Sequence, residues 1–174
     1  MLNRRSMIGL SAAALVSACG GADSLMPYNL PQIRPYTGPE ITEIQIFKAR
    51  RELYALHNRE IVRKFEIALG GRPVGAKEFE GDYKTPEGGY RIDRRNARSA
   101  YHLSLGISYP NEKDIAHAQA AGKRPGGEIF IHGRAGKDKG LGKDWTAGCI
   151  AVTDGEIEDL WAMIKDGTPV HIFP

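Results

Sequence analysis

Glu43-Ile44-Gln45-Ile46-Phe47-Lys48 alternates polar and apolar residues one by one, the period of a strand with one face in a core and the other in water. Ala49-Arg50-Arg51 links it to Glu52-Leu53-Tyr54-Ala55-Leu56, and Ile61-Val62-Arg63-Lys64-Phe65-Glu66-Ile67-Ala68-Leu69 then runs to Gly70-Gly71. Three such runs joined by brief turns predict an antiparallel meander. Downstream, Tyr90-Arg91-Ile92, Tyr101 to Ile107, Glu128 to His132 and Val170 to Phe173 read as further strands, with Lys77 to Gly89 a turn-rich connector. Glu112 to Ala121 reads as a helix stopped by Gly122. Thr153-Asp154 caps a second helix, with Glu156 in its first turn and Ile157, Leu160, Trp161 and Ile164 at helical spacing. The expectation is a mainly β sandwich or barrel with one or two short helices, spanning residues 41–174.

Upstream of that domain the chain reads as an address. Arg4 and Arg5 precede an apolar run from Met7 to Ala18, far short of the roughly 20 residues that cross a bilayer, so residues 1–18 are expected to be an export signal. Val16-Ser17-Ala18-Cys19 resembles the lipobox of bacterial lipoproteins, which implies lipidation at Cys19 and a membrane anchor. Residues 19–40, rich in Gly and Pro and without periodicity, are expected to form the tether. An exported, lipid-anchored protein of the cell envelope or periplasm follows.

The 174 residues are 41% hydrophobic and 26% charged, enough for one domain with a core and unlike a disordered chain. The net charge is +3, and two of those units belong to Arg4 and Arg5. What remains is near neutral, so no nucleic-acid partner is expected. No His or Cys pair has metal-ligand spacing, so neither a metal nor another cofactor is expected.

With Cys19 lipidated, Cys149 is the only other cysteine. A lone thiol in an oxidising compartment is a liability unless it is used. It sits in Trp145-Thr146-Ala147-Gly148-Cys149-Ile150-Ala151-Val152, just before a capped helix. A thiol needs a base to become a nucleophile, and amides around a Gly-Cys turn suit an oxyanion. Of five histidines, His57 and His102 fall in strand patterns, His117 on a helix and His171 beside the C-terminus. His132 ends an apolar strand and is followed by Gly133, which opens a loop.

His132-Gly133, a basic Gly-rich loop and Thr146-Ala147-Gly148-Cys149 together resemble the signature of the L,D-transpeptidase catalytic domain (the YkuD-like family). Lys77-Glu78, Gly81-Asp82, Thr85-Pro86 and Gly88 resemble its upstream segment. Gly148-Cys149-Ile150-Ala151-Val152-Thr153-Asp154 is closest to the YafK-like branch. The resemblance implies a mainly β fold and a peptidoglycan transpeptidase. In it, Cys149 attacks a stem-peptide carbonyl, displaces a D-alanine and passes the acyl group to an amine. His132 would be general base and acid, the Gly133 carbonyl would orient its ring, and the Gly148 and Cys149 amides would hold the oxyanion. Thr146, Arg134, Lys143 and Trp145 would face substrate, with Thr146 also ordering the loop.

Two positions depart from the family pattern. Ala151 stands where many members have an arginine, and Ala147 where many have a histidine. Carboxylate recognition would then fall to Arg134, Lys137, Lys139 or Lys143, or be lost. Arg91, Arg94, Arg95 and Arg98 read as a solvated turn, or as contacts for an anionic wall. Asp82 and Glu87 have no partner the sequence identifies. Transfer to water, making the protein a thiol amidase, and a silent wall-binding lipoprotein are the rival readings. Keeping both Cys149 and His132 in one chain favours catalysis over the silent form.

Overall fold

The computed structural model describes residues 31–136 and 144–174. The meander forms as β1 (Glu43–Phe47), β2 (Glu52–His57) and β3 (Glu60–Glu66), each antiparallel to the next. Along β1, Ile44 and Ile46 are buried while their neighbours are half-exposed. Then come β4 (Gly88–Ser99), β5 (His102–Ile107), α1 (Glu112–Ala120), β6 (Phe130–His132), β7 (Ile150–Ala151), α2 (Asp154–Met163) and β8 (Pro169–Phe173). The sheet order is β3-β2-β1-β8-β4-β5-β6-β7, eight strands in all.

Two features of this order escape local reading. The last strand, β8, lies parallel against β1, with Ile44 opposite Val170. And β4 is far longer than Tyr90 to Ile92. Its first residues pair with β8 and the rest with β5, so it carries the chain from one half of the sheet into the other. The four arginines expected in a turn therefore lie on a strand. Asp93 to Arg98 lacks an apolar alternation because one side meets a helix end and the other faces outward. Arg95 takes the inner side: its guanidinium lies 5.0 Å over the Trp161 ring, donates to the carbonyls of Trp161 and Ile164, and pairs with Asp166.

The segment after β3 leaves the strand ladder but stays buried, and it brings the two ends of the sheet together. Ala68 and Ala151 exchange both backbone hydrogen bonds at 2.8 Å, and the Thr146 amide donates to the Leu69 carbonyl at 3.1 Å. The core fills the space between this curved sheet and α2, whose Ile157, Leu160 and Met163 are buried. A capping box starts α2, Thr153 accepting from the Glu156 amide while Glu156 accepts from the Thr153 amide. Residues 31–40, expected to be tether, have no regular structure, yet Ile33 and Tyr36 pack against the core. Residues 1–30, with the export signal and Cys19, and residues 137–143, with Lys137, Lys139 and Lys143, lie outside the described residues.

Candidate active site

Strand alternation sets the site. Leu105 pairs with Ile131 and Ile131 with Ile150, all buried and pointing inward. Their neighbours therefore point the other way, in two adjacent rows. One row is Asn96, Ser104, His132 and Ala151. The other is Arg94, Gly106 and Phe130, with Cys149 one step before the Ile131–Ile150 pair. His132 and Cys149 are thus diagonal neighbours on one face of the sheet.

His132 is held from several sides. It is only 3% exposed, and Nδ1 lies 2.6 Å from the Gly133 carbonyl. A carbonyl only accepts, so Nδ1 carries the proton and Nε2 keeps its lone pair. Tyr101 stacks on the ring at a centroid distance of 4.6 Å, and Trp145 meets it edge-on at 5.7 Å. Burial pushes the imidazole below its ordinary pKa, with the Gly133 bond opposing, so the ring is a neutral base at pH 7.

Cys149 is half-buried. Its thiol donates to the Glu128 carbonyl at 3.4 Å and not to His132, the expected base. Burial raises the thiol pKa and the Glu128 carboxylate adds to that, while the Phe130 amide, Arg94 and Lys77 act in the opposite sense. The resting pair is a thiol beside a neutral imidazole.

Thr146 shapes the turn before Cys149. It is buried, donates to the Cys149 carbonyl at 2.7 Å and accepts from the Gly148 amide at 3.1 Å. Two expectations change. The Thr146 hydroxyl is spent on the loop rather than facing substrate, and the Gly148 amide is already engaged and is not an oxyanion donor here. Gly148 is required for another reason. Its φ is +135°, and a Cβ there would stand 2.6 Å from the Lys84 carbonyl oxygen. Trp145 packs the wall against His132 and Tyr101 (5.7 Å). Its buried Nε1 has no hydrogen-bond partner among the described residues.

The basic loop between His132 and Cys149 is pinned by an aspartate near each end, and the sequence reading missed both. Asp154 accepts from the amides of Arg134, Ala135 and Gly136 at 2.6, 3.0 and 2.9 Å. Arg134 thus enters the site region through its backbone. Asp144 accepts from the Leu69 amide at 3.0 Å and pairs with Arg51 at 2.6 Å. Burial works to raise both carboxyls, but Arg51 and these amides hold them below the usual range. Asp154 following a helix-capping Thr was a usable sequence signal. Asp144 gave none, because Arg51 lies 93 positions away.

The motif segment upstream supports the same turn from beneath. The Thr85 hydroxyl accepts from the Gly70 amide at 3.2 Å, and the Thr85 carbonyl accepts from the buried Lys48 ammonium. Lys48, 2% exposed, also pairs with Glu87 at 2.7 Å, and Lys77 pairs with Asp82 at 2.7 Å. Those are the partners Glu87 and Asp82 lacked in sequence. The other four histidines lie elsewhere: His57 against the Glu40 carbonyl, His102 against Glu158, His117 on Phe79 and His171 beside Phe173.

The chain is similar to proteins already described. Over 165 residues it is 25% identical to YafK of Escherichia coli strain K12, named provisionally as an L,D-transpeptidase, covering 91% of this chain and 61% of that one. Among solved structures, Pgp2 of Campylobacter jejuni, a helical cell shape determining protein, is 28% identical with a TM-score of 0.58. That match covers 79% of this chain and 49% of Pgp2. Bd1075 of Bdellovibrio bacteriovorus is 25% identical with a TM-score of 0.56, over 81% and 51% of the two chains. The chain thus spans 49% to 61% of the length of these relatives. Residues 41–172, which take in both outward rows of the sheet, match the L,D-transpeptidase catalytic domain model (YkuD), and the chain belongs to that family.

Proposed function

We propose that this protein is an exported, lipid-anchored cysteine acyltransferase acting on peptidoglycan stem peptides. The observation that supports it most is the shared face. A neutral imidazole fixed through Nδ1 stands diagonal to a half-buried thiol, with its Nε2 lone pair uncommitted to the Gly133 bond. Release of the sulfur from the Glu128 carbonyl and its approach to that nitrogen is the kind of tightening expected when substrate arrives.

Nε2 then takes the thiol proton as sulfur attacks the carbonyl that follows the L-centre of the stem's diaminopimelate. The tetrahedral oxyanion meets the Cys149 amide, since the Gly148 amide is held by Thr146. Collapse breaks the C–N bond, and the imidazolium gives its proton to the departing D-alanine amine. An acceptor amine loses a proton to Nε2 and attacks the thioester, and the thiolate leaves and recovers that proton. Cys19 would tether the domain to a membrane, within reach of the wall.

Disaccharide tetrapeptide incubated with the full chain in detergent, with and without an acceptor peptide, tests this by mass spectrometry. Crosslinked or exchanged products that depend on Cys149 are expected. Tripeptide alone, even with acceptor present, would reassign the acyl acceptor to water. Equal turnover by Cys149→Ala and the parent would remove the nucleophile. Persistence of Cys19→Ser in the membrane fraction would remove the lipid anchor.

A further inference from the structure

The Cys149 row ends in a cation. In register across the sheet stand Arg94, Gly106, Phe130 and Cys149. Arg94 does not extend into solvent from its strand. It lies flat across β5, and its guanidinium carbon rests 4.5 Å above the Phe130 ring, on the strand next to the nucleophile. Gly106 makes this possible. A Cβ there would stand 2.4 Å from Arg94 Cγ and 3.0 Å from its Cζ, so any other residue would lift the side chain off the sheet.

The guanidinium is partly committed. Nη1 pairs with Asp93 at 2.8 Å, the neighbour that steadies its plane, while Nη2 reaches only a long contact of 3.5 Å to Glu128 Oε1. The Glu128 side chain is 84% exposed. It is the residue whose carbonyl accepts the Cys149 thiol. An exposed surface carboxylate thus rests loosely against an arginine beside the nucleophile. Lys77, which also acts on the thiol, is buried and spent on Asp82 and the Phe79 carbonyl. Among the described residues, Arg94 is the cation on this row.

We propose that Arg94 is a substrate-binding residue that takes a carboxylate of the incoming substrate, which displaces the side chain of Glu128 from Nη2. A planar guanidinium stacked on an aromatic ring and braced by one aspartate is preorganised for a second carboxylate. Glu128 holds the place weakly and competes for it. The inference rests on the acyl-transfer reading for the identity of the substrate, a stem peptide with carboxylates near its scissile bond, but its first test does not.

That test uses two alkylating probes of similar size, anionic iodoacetate and neutral iodoacetamide, with modification of the full chain read at Cys149 by peptide mass spectrometry. The ratio of the two rates cancels the thiol's own pKa. Arg94→Gln is expected to lower the iodoacetate-to-iodoacetamide ratio about fivefold, the size expected of one partly screened unit charge nearby. Arg94→Lys keeps most of it, and 0.5 M salt, chosen to screen the charge, shrinks the difference. Glu128→Gln, at an exposed position that carries no fold, is expected to raise the ratio. A ratio unchanged in both Arg94→Gln and Glu128→Gln overturns the proposal. If Arg94→Gln does not fold, the sign of the Glu128→Gln effect decides.

With stem peptide, the parent should lose kcat/KM when the leaving residue's carboxylate, or that of the diaminopimelate, is amidated. Arg94→Gln should be indifferent to whichever of the two Arg94 binds. Failure of all turnover would sink the peptidoglycan reading, and the alkylation ratio alone would then decide whether Arg94 binds a carboxylate.

Discussion

The two outward rows of this sheet are neighbours and opposites. The His132 row is sealed around the imidazole: Ser104, His132 and Ala151 are buried while Asn96 at the far end is exposed, and the ring is fixed by Gly133, Tyr101 and Trp145. The Cys149 row is open, its sulfur half-exposed and its far end charged. One row holds an imidazole in a single tautomer and orientation, and the other presents a thiol and a cation to the outside. In the acyl-transfer reading proposed above, rigidity falls on the group whose orientation the proton transfer requires, and access on the groups that meet substrate.

Replacing the sealed base should give the largest effect. His132→Gln is expected to lower kcat/KM by about 10³-fold while leaving the fold in place, the range for a general acid–base group. The parent's pH profile sharpens the point. His132 is depressed by burial and Cys149 raised by burial, so a thiol–imidazole pair stays in its resting neutral form over a wide interval. The kcat/KM plateau should extend below pH 6.5 and above 8.5, the ordinary values of the two groups (about 6.5 and 8.5). Both limbs falling inside that interval would mean an ion pair instead, and would undo the contrast between the rows.

A smaller effect should come from the joint between them. Thr146→Val keeps shape but leaves the buried Gly148 amide without its acceptor and the Cys149 carbonyl without its donor. About 1–3 kcal/mol of stability should be lost, and kcat should fall by about 10- to 100-fold through misplacement of the nucleophile. Thr146→Ser should restore most of both. Rate and urea midpoint together check it: a stability loss with kcat unchanged would make Thr146 a packing residue only.

The two halves of the molecule also differ in how far their sequence reveals them. Alternation in Glu43 to Phe47 and Glu52 to His57 reads off directly as β1 and β2, because each strand has one buried face. The Thr153–Glu156 box reads as the start of α2 for equally local reasons. Around the site the local signal fades. β7 has two residues and is held by Ala68 and Ile131, which no window around Ile150 contains. Strand β4 reads as a strand only over Tyr90 to Ile92 and as a turn beyond it, because its outward side there carries Arg94 and its inward side Arg95, which caps a helix. The His-Gly and Gly-Cys positions could be named from their pattern. That the Gly148 amide is occupied, that the thiol leans toward Glu128, and that Asp144 and Asp154 pin the loop depend on contacts between residues far apart in the chain.

The smallest effect expected is a linkage effect on stability, and it separates the rows without any substrate. In the unfolded chain His132 has an ordinary imidazole pKa, about 6.5, whereas burial lowers it in the fold. Between those two values the unfolded state binds a proton that the native state refuses, so stability falls as pH drops through 6.5. Cys149 runs in the other direction. Its native pKa is raised, so the unfolded thiol ionises first and stability falls as pH climbs above about 8.5. His132→Gln should flatten only the acid side of the curve of urea midpoint against pH, and Cys149→Ser only the alkaline side. The paired carboxyls, Asp144 and Asp154 among them, lose their contribution at lower pH, from the ordinary carboxylate value downward to their depressed native ones. An acid side that keeps its slope in His132→Gln would mean that water reaches the imidazole in the native state, and the sealed row would then be as open as its neighbour.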